Sequence, residues 1–540
     1  MDGSALPNPS GGFADPEAVL STVEDASMSG DNSTATGRRR FAAAVISLTM
    51  TAVGSVVLSL PQVFAECGAV GGVAALAGFA ALTDASLVII ARAARAVDAR
   101  TYEQTVTRVV GPTGGKTLRV CLCVLLFGTL ASLQIIAADL AAPVVESLVY
   151  RDSETGGFWS SRVAIHTGVL ALVYPLSLLE NLSRLAAASS AAFFVMIGVG
   201  LVLVARFAEA GFPVAADVVL VGTNPRAIAL ALPVCALAYT CHFNVVEIAR
   251  EMRRPTRSSS SASSSPSVDA PDAPAPGADA LVERVEAEPP SVGRATHADE
   301  AMIRVVVWVA AFPFYAVFAI VGYLGFGKSV SGDVLTEWIG DGEMAAAQIA
   351  VAAVNVLKYP LMGFALRGFI VAATDDAYAR VGGGCEMFDA RDDARLTASL
   401  LRRGSPVDDA SAAETEREGT FARAREGDGA KARASAPPLV RAAALFAAHA
   451  SIAMCAMLLR RLSLVLDLVG ATCGATVAFI VPGCVLWRLG SLKNAPRAAE
   501  EGGGSPAASR LRSRVLAATL VAAGVATSAC GIVAVAAEIA

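Results

Sequence analysis

Charge is what this 540-residue chain has least of. Asp, Glu, Lys and Arg together make up 17% of it, against roughly 25% in a soluble domain. Apolar residues reach 54% and mean hydropathy is +0.56, which excludes a water-soluble globular domain. The ten cysteines include no CxxC pair and no metal-ligand spacing. Most sit inside apolar runs, among them Cys121, Cys235, Cys241 and Cys473, and read as small buried apolar residues. HExxH, GxSxG in context and a phosphate-cradling glycine loop before a lysine are all missing, so nothing points to an enzyme. Gly382-Gly383-Gly384 only punctuates a polar loop. There is no ring-forming pore loop or repeated filter motif, and so no support for an ion channel. The net charge of -5 comes from tails and loops and implies no nucleic-acid partner.

What is present is a series of apolar runs near spanning length, which is about 20 residues. They cover 41–68, 69–91, 118–145, 163–180, 184–207, 227–249, 303–326, 345–372, 439–459, 462–488 and 515–537. The chain therefore reads as an all-α polytopic membrane protein with eleven transmembrane helices. Residues 1–37 are rich in Ser, Gly, Asp and Pro without apolar periodicity, as expected of a disordered cytoplasmic tail. Arg38, Arg39 and Arg40 abut the first span and hold the amino terminus in the cytoplasm under the positive-inside rule. Domain 38–540 carries all the spans, with disordered cytoplasmic loops expected at 255–299 and 375–438. The outer loop with Asp333, Glu337, Asp341 and Glu343 reads as solvated.

Two of the spans are interrupted. The first, FAAAVISLTMTAVGSVVLSLPQVFAECG, carries Gly54-Ser55 at its middle and Pro61 further on. A break at that depth exposes backbone N–H and C=O groups, which survive only where they face protein or a polar cavity. The sixth is apolar to Leu237 and then admits Tyr239, Thr240, Cys241, His242 and Asn244 within one to two turns. Such polar side chains face the bundle interior. If spans one to five and six to ten are two halves, the breaks fall at corresponding positions. That is the pattern of an inverted-repeat transporter with a ligand site at the midplane. Half-helix amino termini favour an anionic group such as a carboxylate, so a small zwitterion is the natural ligand.

At these residues the chain resembles the amino acid/auxin permeases, in particular the branch of sodium-coupled neutral and vacuolar amino acid transporters. TAVGSVVLSLPQVFAECG resembles that family's first-span signature, and AYTCHFNVVEIAREMRRPT its sixth-span CHxN motif. The stretch from Pro175 to Leu182, YAVFAIVGYLGFGKSVSGDVL and YPLMGFALR are similar to its fourth-to-fifth junction, seventh span and eighth span, in the right order. The resemblance implies a LeuT-type fold, a 5+5 inverted repeat with broken first and sixth helices and one extra span. It implies ion-coupled transport of amino acids by alternating access, in the vacuolar or plasma membrane. It also implies that the backbone at Val53, Gly54, Ser55 and Val56 holds the substrate carboxylate, with Tyr239, Thr240, His242 and Asn244 lining the cavity from the other half.

The chain departs from the family's pattern at three positions. Val56 stands where the family has a second glycine and narrows the space for a ligand, which implies a small or differently placed substrate, or weaker transport. Met50 replaces an asparagine that the sodium-coupled branch uses to coordinate its ion, and a thioether is a poor sodium ligand. Lys358 falls at or beside the place of a hydroxyl ligand for the same ion. A lysine in mid-membrane costs at least about 2.5–3.5 kcal/mol. Its ammonium can stand in for sodium and serve as a proton carrier, or it can pair with an acid such as Asp139 or Glu180. Met50 and Lys358 are thus the candidate ion-coupling residues, with proton rather than sodium as coupling ion and no cofactor. An amino acid sensor that signals through its tail and loops is the alternative reading.

Overall fold

The computed structural model describes residues 32–149, 161–178, 183–211, 213–253, 291–338, 342–382, 436–459, 462–491 and 506–539. Glu180 and the greater part of the tail and both long loops lie outside these residues. Among the described residues nine helices are long and apolar enough to cross a bilayer. A tenth span is the pair Gly37–Ala52 and Val56–Cys67, bent by 51°. Arg162–Ser177 is apolar but shorter than a full span. A backbone in lipid must satisfy its own hydrogen bonds, which is why every apolar run has become a helix.

In chain order these are α1 (Asn32–Ala52), α2 (Leu60–Cys67), α3 (Ala69–Ala96), α4 (Tyr102–Val109), α5 (Pro112–Val149), α6 (Arg162–Ser177), α7 (Ser183–Glu209), α8 (Pro225–Ala238) and α9 (His242–Arg253). They continue as α10 (Ser291–Arg304), α11 (Phe312–Phe326), α12 (Gly342–Gly382), α13 (Pro438–Leu458), α14 (Leu462–Val469), α15 (Val481–Ser491) and α16 (Pro506–Ile539). Wide turns at Val305–Ala311, Gly470–Gly474 and Thr476–Ile480 join α10 to α11 and α14 to α15.

Helix extends further into the loops than the composition suggests. Residues 291–299 are helical, because Arg and Ala in this stretch and Glu300, Ala301 and Met302 just after it are good helix formers and because Asp299 is anchored. Asp299 is 1% exposed and receives ion pairs from Arg95 (3.7 Å) and Arg253. Glu300 next to it pairs with Arg92 (2.6 Å) and Arg304 (3.7 Å). The ends of α3, α9 and α10 are thereby tied together. Residues 375–382 likewise prolong α12, and Asp375 accepts from both Arg441 nitrogens (2.9 and 2.7 Å) and from the Ala436 N–H (2.9 Å).

At the opposite end, the segment before α8 closes over the α2–α3 junction. Ala69 N–H donates to the Val219 carbonyl (2.9 Å), Val70 N–H to that of Leu220 (2.8 Å), and Gly222 N–H to that of Cys67 (2.7 Å). Gly68 makes this possible. Its φ is +78°, and a Cβ there would stand 2.7 Å from the Leu220 carbonyl carbon. The acidic loop at 330–338, expected from sequence to be solvated, is not simply so: Asp333 is 5% exposed, with Oδ1 accepting from the Leu335 N–H (3.0 Å). The Ser59 hydroxyl donates to the Gly332 carbonyl and draws the loop onto the first span.

Candidate substrate cavity between the broken helices

Both interruptions appear as breaks in the helices. α1 stops at Ala52, Gly54 is extended (φ -107°, ψ -163°), and a tight turn Ser55–Ser59 leads into α2 with no side-chain cap. Val57 N–H bonds to the Gly54 carbonyl (3.4 Å). In an unbroken helix it would serve Val53, so the Val53 carbonyl needs another donor. The Lys358 ammonium supplies it. Lys358 is 3% exposed and is carried at mid-length by α12. Asp139 is paired elsewhere, with Arg162 at 2.8 Å.

A cavity of about 50 Å³ opens at this point, room for a few waters or one small ligand. Thr51, Gly54 and Val56 border it from the first span, Thr240 and Phe243 from the sixth, and Lys358 from α12. Thr129 and Ser132 of α5 add hydroxyls, and Leu466 and Val469 of α14 close one side. The wall is mostly apolar with a few convergent polar groups, the usual make-up of a small-molecule site. At Gly54 a Cβ would meet only the Ala52 carbonyl at 3.9 Å, so neither strain nor crowding in this conformation calls for glycine. Its effect is to leave backbone open to the cavity.

The second break runs from Tyr239 to Cys241, between α8 and α9. Cys241 N–H reaches the Tyr239 carbonyl (2.9 Å) and Asn244 N–H that of Cys241 (3.2 Å). Of the sequence-derived candidates, Gly54, Val56, Thr240 and Lys358 border the cavity. Thr240 also gives its hydroxyl proton to the Ala236 carbonyl (2.8 Å). Ser55 begins the tight turn after the break. Val53 takes part through its carbonyl.

The remaining candidates stand behind the cavity wall. Met50 is 1% exposed in the helix core. Tyr239 packs edge-on against Tyr315, with ring centroids 5.2 Å apart. Asn244 donates to the Thr51 hydroxyl (3.1 Å), which ties the two broken spans together beside the cavity. His242 is fully buried. Ser86 gives its proton to the Thr83 carbonyl (3.0 Å) and so accepts from His242 Nε2 (2.7 Å). Sequence reasoning missed Thr51, Thr129 and Ser132. Their signal was hydroxyls within apolar runs, a weak one because Ser and Thr often bond back to their own helix, as Thr129 does to Leu125 (2.8 Å).

Known proteins are similar to this chain over most of its spans. Amino acid transporter AVT6E of Arabidopsis thaliana is 26% identical over 349 residues, 60% of this chain and 61% of the relative. Sodium-coupled neutral amino acid transporter 7 of Rattus norvegicus is 21% identical over 333 residues, 61% of this chain and 63% of its own length. Vacuolar amino acid transporter 6 of Saccharomyces cerevisiae is 29% identical over 226 residues, 39% of this chain and 47% of its own. The chain thus spans less than two thirds of the length of each of these relatives. A crystal structure of a manganese transporter from Eremococcus coleocola aligns over 94% of this chain and 96% of its own, at 12% identity and a TM-score of 0.36, too loose a likeness to define the fold. The family described as transmembrane amino acid transporter protein matches residues 38–265 and 295–497. That is a transporter family rather than an enzyme family, it covers more than half of the sequence, and the chain belongs to it.

Proposed function

We propose that this protein is a secondary active transporter that carries small neutral amino acids across a membrane by alternating access, coupled to protons rather than sodium. The observation that carries the reading is the Lys358 ammonium on the Val53 carbonyl, beside the cavity between two broken helices. When protonated, the tethered Lys358 amine satisfies a carbonyl freed by a helix break, the task a bound sodium ion can perform. Met50 offers no replacement oxygen. The substrate's carboxylate lies against the backbone at Gly54–Val56, and its side chain meets Phe243, Leu466 and Val469. Val56 and the small volume favour substrates of about alanine's size. Arg162–Ser177, fourth in chain order, brings the count to the eleven spans of a LeuT-type 5+5 arrangement with one extra span in this reading, and the arginine-rich ends of α1, α3 and α9 face the cytoplasm.

The test is uptake of radiolabelled alanine, serine and leucine into liposomes containing the purified protein, with proton and sodium gradients imposed separately. Accumulation driven by an inward proton gradient in sodium-free buffer, greater for alanine than leucine, is the expected result. A requirement for sodium overturns the coupling, and no flux under either gradient overturns transport.

A further inference from the structure

Away from the cavity, a second set of buried polar groups descends between α5, α6, α12 and α13. It begins at the 330–338 loop, where Asp333 lies close enough to Asp139 of α5 for their charges to interact and its Oδ2 has no hydrogen-bond partner. Asp139 pairs with Arg162 at the start of α6 (2.8 Å), and both remain partly exposed, at 22% and 33%. Arg162 Nε and Nη2 lack protein partners.

One turn deeper the pattern repeats without water contact. Gln134 lies five residues before Asp139 and His166 four residues after Arg162. On antiparallel helices these steps descend by about 7.5 and 6 Å, so the two residues come level, with Gln134 turned by roughly 140° from the face of Asp139, toward Tyr359. Both are 0% exposed, and neither the two amide atoms of Gln134 nor the two ring nitrogens of His166 form a well-aligned bond. Gln134 sits beside Tyr359, whose hydroxyl is likewise unmatched. Asn355, one turn before Tyr359, has an unpartnered amide nitrogen and shares the helix face of Lys358 at i+3. The ring of His449 lies 5.7 Å from that of Tyr359, with Nε2 unpartnered.

A single orphaned group inside a membrane bundle could reflect local compromise. Asp333, Arg162, Gln134, His166, Tyr359, Asn355 and His449 together do not, since buried polar groups are matched by protein or by water, and polar groups at membrane depth mark ion or proton paths. The other charged or titratable side chains nearby are already engaged. Tyr174 donates to the Ala442 carbonyl (3.1 Å), and Arg367 to those of Ser177 and Leu178 (3.3 and 3.1 Å), below the set. Glu337 accepts from the Ser331 N–H (2.8 Å) above it.

We infer that Asp333, the Asp139–Arg162 pair, His166, Gln134, Tyr359 and Asn355 line a file of bound water that conducts protons from the 330–338 end of the bundle to Lys358. The inference rests on the proposed proton coupling and supplies its route. A proton enters at the exposed Asp139–Arg162 pair and passes along water past His166 and Gln134. It arrives at the amine of Lys358, forming an N–H bond there; the amine returns a proton to the opposite side when the cavity reopens. No oxidant or other reactant is involved. The amino acid takes a different way, through the cavity bordered by the helix breaks.

Separate routes make separable defects. The experiment compares wild type, His166→Phe and Gln134→Leu in proteoliposomes by two assays: uptake driven by a proton gradient in sodium-free buffer, and exchange of internal for external alanine at equal pH, which needs no net proton movement. The expected result is at least a tenfold loss of proton-driven uptake in each variant with exchange within twofold of wild type. His166→Gln, which keeps hydrogen bonding at the site, should restore most of the uptake. Equal loss in both assays by all three variants would make the cluster a packing element and overturn the route, as would unchanged uptake. Wild type that exchanges alanine but ignores the proton gradient would instead overturn the coupling itself.

Discussion

Asp333 shows how a single residue can contradict its own neighbourhood. In the run SGDVLTEWIGDGE it reads as one more solvated acid, yet it is buried, and burial pushes its carboxyl up to about 7. The neutral form is therefore favoured in the folded protein. Its contribution to stability is fully present below the ordinary carboxylate range and is lost as pH rises through about 7, at roughly 1.4 kcal/mol per pH unit in between. Asp333→Asn keeps the Leu335 hydrogen bond and has no proton to lose. Melting curves in detergent at pH 5 and pH 8 should show the variant gaining on wild type at the higher pH; a constant difference would mean that Asp333 does not titrate in this window. Lys358 was legible as an anomaly, because a lysine in an apolar run is costly. Its partner was not legible, since a backbone carbonyl 305 positions earlier in the chain leaves no mark in the sequence.

At the scale of elements, both helix breaks could be read from residue types. Gly54-Ser55 and the cluster from Tyr239 to Asn244 interrupt apolar runs that otherwise continue, and backbone hydrogen bonding in lipid leaves few ways to accommodate that. Which side chains face the cavity was harder to read. Asn244 and His242 look like equals in the CHxN motif, but two residues turn the helix by roughly 200°, which sends Asn244 toward Thr51 and His242 toward Ser86. The lengths of α10 and α12 were underestimated because their ends are held by ion pairs with distant arginines. The α2–α3 corner supplies a sharper test. Gly68→Ala places a Cβ against the backbone of Leu220 at a positive φ. It should cost about 1–3 kcal/mol, seen as a melting temperature lower by several degrees with unchanged helix content. Wild-type stability would show that the 213–224 segment yields easily.

Across the whole molecule, the two ends of the bundle are built differently. One is closed by charge: Asp299 receives Arg95 and Arg253, and Glu300 receives Arg92 and Arg304, joining α3, α9 and α10. The other is closed by backbone hydrogen bonds around Gly68 and the 330–338 loop. The arginines at the first end were visible in the sequence as flanking charges. Their acidic partners were not, because Asp299 and Glu300 sit at the edge of a long polar insertion. Removing the shared carboxylate with Asp299→Asn should destabilise the protein by about 3–5 kcal/mol, as breaking a buried pair does. Cysteines introduced at the end of α9 should then react faster with a water-soluble maleimide, and unchanged reactivity would remove the clamp from the account. The membership of a transporter family, the two breaks and the cavity between them converge on one claim, that the Lys358 ammonium does the work of a coupling ion. The most direct measurement is alanine uptake by wild type and Lys358→Met proteoliposomes across external pH 5 to 8 without sodium. Wild-type uptake that rises steeply as the external pH falls, beside a flat profile at least tenfold lower for Lys358→Met, is the predicted result. Parallel pH profiles for the two proteins would contradict the account.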